Sequence, residues 1–273
     1  MSEKPDCMDR FHRVRKKEME IVFSHCPEKH FATALELGAG DGFHSRLLAK
    51  YATKLISTDY SPSILALKNT ESIEYRVCDA EEVEHCVGGE SFDLVFMSSV
   101  MEHLSDPVKA LQAAHKILRE DGVVVSMMPN RFWKTCHLAF HLPNKVFLKM
   151  THPRDGNRRP IEEKTIGVDN NPKTVKAIRS RFVAFWTPEP HGVSKSNLDE
   201  IMAWKPGRWS EHFEEAGFLP PLLIKGPVSS GYSFGLDFAA HFLERLGIAS
   251  EYAYIAAKRG TDSPHIEYFK PNG

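Results

Sequence analysis

Between Ala32 and Met128, short apolar runs of strand length alternate with segments whose apolar residues recur every three or four positions. This alternation predicts repeated βα units around a parallel sheet. Strands are expected at 33–37, 54–58, 73–78, 92–97 and 123–128. The helix after the first strand places Phe43, Leu47, Leu48 and Tyr51 on one face. Ser61-Pro62 and Asp106-Pro107 each read as a helix start, a capping oxygen followed by proline where its missing N–H costs nothing. Asp121-Gly122 reads as the turn into the fifth strand, whose unbroken apolar run suits burial on both faces.

Outside this stretch the pattern is looser. Residues 10–23 predict an amphipathic helix, which could serve as a lid over a ligand or as cover for a sheet edge. After Asn130 the rhythm stops, and a segment rich in Pro, Asn, Arg and His runs to about Lys195. Such insertions usually carry specificity. A helix at 208–216 closed by Gly217, a strand at 222–225, a helix at 236–246 and a strand at 252–258 complete seven strands. The expected organisation is a helical extension (1–30), one α/β domain (31–260) with an insert at 130–200 acting as a substrate lid, and a flexible tail (261–273).

Composition narrows the class only slightly. Hydrophobic residues make up 42% and charged residues 26% of 273 positions, the balance of a globular protein. A net charge of -1 provides no global field for nucleic acid or anionic membrane. No leader-like or spanning apolar run is seen, so a cytoplasmic location is expected. The five cysteines are scattered, without paired C-x-x-C spacing, so reduced thiols are expected.

The chemistry concentrates in Glu36-Leu37-Gly38-Ala39-Gly40-Asp41-Gly42, with Asp59 ending the next strand. Glycines let the backbone approach a ligand closely, and a carboxylate can accept from both hydroxyls of a ribose. NAD and S-adenosylmethionine both meet that description. The acids separate them: Glu36 and Asp41 would each repel a pyrophosphate by about 1 kcal/mol or more at short range, whereas a sulfonium and an ammonium are welcome. The third glycine also follows the second by two residues, not the three of the dinucleotide fingerprint.

With Cys78-Asp79-Ala80, Phe92-Asp93-Leu94-Val95, Glu102-His103-Leu104 and Leu118-Arg119-Glu120-Asp121-Gly122 following in order, the stretch from Ala32 to Pro129 resembles the class I S-adenosylmethionine-dependent methyltransferases, especially their small-molecule branch. The resemblance implies a Rossmann-like, seven-stranded, mostly parallel sheet with helices on both faces and an insertion after the fifth strand. It also implies that Glu36, Gly38, Ala39 and Gly40 hold the methionine part of S-adenosyl-L-methionine, that Asp59 takes the ribose hydroxyls beside Tyr60, and that Asp79 and Ala80 hold the adenine. Ser98 and Ser99 would line the pocket beside the sulfonium. Asp121 stands where the family more often has proline or lysine.

Methyl transfer requires alignment of the acceptor and sometimes removal of its proton. His103 is the candidate base, with a pocket-wall or helix-cap role as the alternative. His137, His141, His152 and His191 could serve the acceptor or be solvated. His137 and His141 share a helix face, but no third ligand is evident, so no metal is expected. Phe132, Trp133, Leu138, Phe140, Leu142, Val146, Phe147, Leu148 and Met150 could wall an apolar pocket, lie on a membrane surface or pack on the sheet. Arg154, Arg158, Arg159, Arg179 and Arg181 form a local basic cluster that could face phosphate or solvent. The expected partner is a small-molecule acceptor, free or linked to lipid or sugar. An RNA or protein methyltransferase, or a noncatalytic partner of the same fold, is the competing reading. Met97-Ser98-Ser99-Val100 stands where an Asn-Pro-Pro-Tyr-type motif would favour nucleic acid or protein.

Overall fold

The computed structural model describes residues 7–151, 186–229 and 237–270. Seven strands, β1 (Phe31–Leu37), β2 (Ala52–Asp59), β3 (Ile73–Val77), β4 (Phe92–Ser98), β5 (Leu118–Pro129), β6 (Leu222–Lys225) and β7 (Glu251–Ala257), form one sheet in the order 3-2-1-4-5-7-6. The first five are parallel, and β7 runs antiparallel to both β5 and β6. Strand order reverses between β1 and β4, so the carboxyl ends of those strands open the crevice where open α/β sheets bind ligands.

Eight α-helices are described: α1 (Cys7–Val22), α2 (Phe43–Leu48), α3 (Val83–Cys86), α4 (Pro107–Ile117), α5 (Arg131–Thr151), α6 (Asn197–Ala203), α7 (Pro206–Glu215) and α8 (Asp237–Arg245). Two apolar clusters cover the two faces of the sheet. One joins Leu35, Val95 and Val124 to Leu111, Trp209 and Phe213, and the other joins Ala34, Leu94 and Phe96 to Phe23 and Leu48. Neighbouring residues of one strand fall into opposite clusters, as side-chain alternation requires. The Asp106 carboxylate caps α4 at the Lys109 N–H, 3.0 Å away, just before Pro107, as that pair of residues predicted.

Several expectations are corrected. Ser61-Pro62 opens only a 3-10 turn, Pro62–Ala66. Asp121-Gly122 is not a turn before β5 but part of it, at a register shift where Phe92 pairs with Leu118 and Leu94 with Val123. The end of the chain, expected to be a flexible tail, carries a 3-10 turn, Pro264–Phe269, whose buried Phe269 meets the Phe23 ring edge-on at 5.5 Å. Cys78 and Cys86, expected as thiols, are joined in a disulfide. Cys26 and Cys136 are free and buried.

The insert opens with helix where irregular chain was expected. Asn130 caps α5 by accepting from the Phe132 and Trp133 N–H groups at 2.8 and 3.2 Å. The face that α5 buries is polar: Lys134, His137, His141 and Asn144 follow one another at helical spacing. Phe132, Leu138, Phe140 and Leu142 are only half-buried and Val146 is exposed. His152 and the arginines at 154, 158, 159, 179 and 181 lie outside the described residues, as do the side chains of Phe147, Leu148 and Met150. No helix among the described residues is long and apolar enough to cross a membrane.

Candidate cofactor and acceptor site

The turn after β1 needs left-handed backbone at Gly38 (φ +78°) and Gly40 (φ +54°), which glycine adopts without strain. All four of the Gly38, Ala39, Gly40 and Gly42 amides are already spoken for. Gly38 and Ala39 donate to the Thr58 carbonyl at 2.8 and 2.9 Å, and Gly42 donates to the Ala39 carbonyl at 2.9 Å. Gly40 donates to Asp59 Oδ2 at 2.9 Å, and Phe43 to Asp41 Oδ1 at 3.0 Å. A phosphate cradle needs free N–H groups at this position. Here two of them are taken by Asp59, expected to accept from the ribose hydroxyls, and Asp41, weighed above as a charge.

Glu36 lies beneath the turn. It is 1% exposed, and its Oε2 accepts from Ser45 Oγ at 2.5 Å and Ser57 Oγ at 2.8 Å. Burial raises its pKa, partly offset by those bonds, and Oε1 has no hydrogen-bond partner among the described residues. The carboxyl therefore braces β1, β2 and α2 from below. Asp59 Oδ1 also accepts from the Ser61 N–H at 2.9 Å. Its neighbour Tyr60 is exposed. Asp79 is exposed at the end of β3 and caps the following 3-10 turn through the Glu81 N–H at 3.0 Å, with Ala80 buried beside it. The Cys78–Cys86 bridge ties this loop to α3.

Ser98 and Ser99 end β4, and Ser99 has φ +53°, a strained value for a side-chain-bearing residue. Both hydroxyls accept from Arg15 of α1, Ser98 Oγ at 2.6 Å and Ser99 Oγ at 3.0 Å. One turn earlier, His12 bonds Asp41 at 2.8 Å and stacks on Phe43 with centroids 4.0 Å apart. Thus α1 crosses the glycine turn and the end of β4.

Beneath Arg15 lie three buried carboxyls: Glu18, 3.2 Å away, Glu102 after β4, and Glu251 at the start of β7. Burial opposes the ionised form of Glu18, but the Arg15 charge and His44 outweigh it and hold its pKa at about 2. Burial first, and then the neighbouring Glu18 charge, push Glu251 well above the ordinary range. Burial also raises Glu102, whose Oε2 has no partner among the described residues. The His103 ring lies 4.0 Å from Glu102 Oε1, too far for a hydrogen bond.

A second buried cluster joins α5 to α6. Lys134 and Glu200 are fully buried and 2.6 Å apart. Glu200 also accepts from the His191 backbone N–H at 3.0 Å and lies 3.0 Å from His191 Nδ1. The His191 ring packs edge-on against Trp133 at 5.1 Å and His137 at 4.9 Å. Desolvation, then the His191 and Lys134 charges, drive the His137 pKa down to about 2. Among the described residues no group of His, Cys, Asp and Glu could hold a metal ion.

A Cβ built on Gly40 would meet nothing within 4 Å, so open space adjoins the turn, flanked by Asp59 and leading toward the exposed Asp79. An open cradle edged with acids, with the Gly38, Ala39, Gly40 and Gly42 amides already bonded, fits a cationic nucleoside such as S-adenosylmethionine better than a dinucleotide. Sequence reasoning missed Arg15, Glu18, Glu200 and Glu251, charged residues that stand in no recognisable motif. The only local signal was that Arg15 and Glu18 share a helix face with apolar Phe11 and Val22.

Residues 35–126 match a methyltransferase domain family. A ubiquinone biosynthesis O-methyltransferase of Rhizobium etli is 27% identical over 137 residues, 47% of this chain and 54% of that protein. One of Cereibacter sphaeroides is 30% identical over 111 residues, 38% and 44%. The chain therefore spans about half the length of the curated relatives it matches. A methyltransferase solved in complex with the Haloferax volcanii Trm112 methyltransferase activator is 14% identical, with 92% of this chain and 91% of that one covered at a TM-score of 0.53, which shows the shared fold. Residues 35–126 thus carry the sequence of a methyltransferase domain, on a sheet of the Rossmann-like methyltransferase fold.

Proposed function

We propose that this protein transfers the methyl group of S-adenosylmethionine to a hydroxyl on a small, planar acceptor. The observation that carries the reading is the glycine turn whose Gly38, Ala39, Gly40 and Gly42 amides are bonded to Thr58, Asp59 and Ala39, beside acids and open space for a cation. Bound S-adenosylmethionine supplies an electrophilic methyl carbon on its sulfonium. Gly38, Ala39 and Gly40 hold its methionine part, with Glu36 bracing the turn from below. Asp59 and Tyr60 hold the ribose, and Asp79 and Ala80 the adenine. Ser98 and Ser99 line the reacting end once Arg15 releases them.

Hydroxyl acceptors are favoured by the names of the curated relatives, and a planar acceptor by the rings of Trp133, Trp204, His137 and His191 packed together after β5. Linkage of that acceptor to a lipid or sugar is compatible with the insert, whose α5 keeps apolar residues on its less buried side. Mass spectrometry of catechol incubated with the chain and S-adenosylmethionine tests the reading. A methyl ether together with S-adenosylhomocysteine supports it. Cofactor binding without ether formation rejects the hydroxyl assignment, and no cofactor binding rejects the reading altogether.

A further inference from the structure

Proton removal from a hydroxyl acceptor needs a base that is oriented, uncommitted on one nitrogen, and next to the end of β4. His103, the histidine nearest in sequence, lacks the first property, because its ring has no hydrogen bond to Glu102 at 4.0 Å. His191 has all three. Its Nδ1 is 3.0 Å from Glu200 Oε1, and the same carboxylate holds its backbone N–H through Oε2 at 3.0 Å. Lys134 Nζ, 2.6 Å from Glu200 Oε2 and 3.3 Å from His191 Nδ1, balances the buried carboxylate. The ring keeps 16% of its exposure, and Nε2 has no hydrogen-bond partner among the described residues. Its position is set by Gly192 (φ +56°), which packs so closely on the loop after β4 that a Cβ there would come within 1.9 Å of the Glu102 carbonyl oxygen. Edge contacts with Trp133 and His137 fix the plane of the imidazole.

We propose that His191, oriented by Glu200, is the base that takes the acceptor's proton at Nε2, and that Glu200 and Lys134 are its positioning residues. This rests on the hydroxyl-methylating function proposed above. The acceptor oxygen forms its bond to the methyl carbon as the S–CH3 electron pair returns to sulfur, the O–H bond breaks toward Nε2, and the proton then leaves the imidazolium for solvent. With Nδ1–H directed at the carboxylate, Nε2 is the nitrogen left with a lone pair. The charged and titratable groups facing the ring are Lys134 and His137 of α5, Glu200 of α6, and Glu102 and His103 of the loop after β4.

Two measurements on the full chain decide the matter. Nitrogen-15 spectra of the imidazoles, assigned by comparison with His191→Gln, are expected to show the Nδ1–H tautomer of His191 in mildly alkaline buffer without cofactor. An Nε2–H tautomer overturns the proposal whatever the acceptor is. In the catechol assay, His191→Gln should lower kcat by about 100-fold or more and abolish the acid limb of the rate profile, with S-adenosylmethionine affinity by calorimetry unchanged. Glu200→Gln should lower kcat less and shift that limb. A His191→Gln variant that keeps the wild-type rate refutes the base assignment and leaves the methyltransferase reading standing. Loss of S-adenosylmethionine binding in the wild type refutes that reading instead.

Discussion

The Gly40 N–H donates to Asp59 Oδ2 across 2.9 Å, so the carboxylate that ends β2 also fixes the turn that ends β1. One residue thereby couples the ends of β1 and β2. Asp59→Ala should weaken S-adenosylmethionine binding by about 1 to 3 kcal/mol, the cost of losing hydrogen bonds to a charged group. Calorimetry on the variant checks this, and unchanged affinity would remove Asp59 from the site.

Arg15 binds both serines at the end of β4 and is the counter-charge of the buried Glu18. Arg15→Met should destabilise the fold by about 3 kcal/mol, because it strands a buried carboxylate. Denaturant unfolding measures the loss, and a change below about 1 kcal/mol would show the pair to be solvated.

The acids beneath Arg15 set opposite pH dependences. Glu18, with its folded pKa lowered from 4.5 to about 2, contributes stability that is present above its unfolded value and is lost as pH falls through that window. Glu251 has its folded pKa raised well above 4.5, so it stays protonated in the fold where the unfolded chain has already ionised. Its contribution therefore makes stability fall as pH rises from about 4.5 toward its folded value. Glu251→Gln should flatten that decline in unfolding free energy measured from pH 5 to 8. An unaltered slope would mean that Glu251 ionises freely in the folded protein.

The Cys78–Cys86 bridge closes a short loop, with a sequence separation of 8, around the segment bearing Asp79 and Ala80. Cys86→Ser, or a thiol reductant, should cost about 2 to 3 kcal/mol of stability by the loop-entropy relation. It should also weaken cofactor affinity more than affinity for free methionine. Thermal unfolding with and without reductant would expose a bridge that carries no load.

The sheet was readable in the sequence because β1, β4 and β5 carry mostly apolar runs buried on both faces, as central parallel strands do. The turn was readable because glycine and aspartate have few other uses after a strand. What escaped reading has a common cause. Lys134 and Glu200 are 66 positions apart, and each looks solvated until its partner is known. Helix α5 buries the stripe that its composition marks as polar and leaves Phe132 and Leu138 half-covered. Cys78 and Cys86 lack the paired C-x-x-C spacing that signals zinc or a redox dithiol. Phe269 follows a polar stretch that resembles a tail, yet it fills a gap beside Phe23.

The choice between a sulfonium cofactor and a dinucleotide rests on amides already bonded to Asp41 and Asp59. Titration calorimetry of the full chain with S-adenosylmethionine, and separately with NAD, tests that choice. Saturable binding of S-adenosylmethionine with no heat from NAD is the expected result. Saturable binding of NAD with none of S-adenosylmethionine would contradict it.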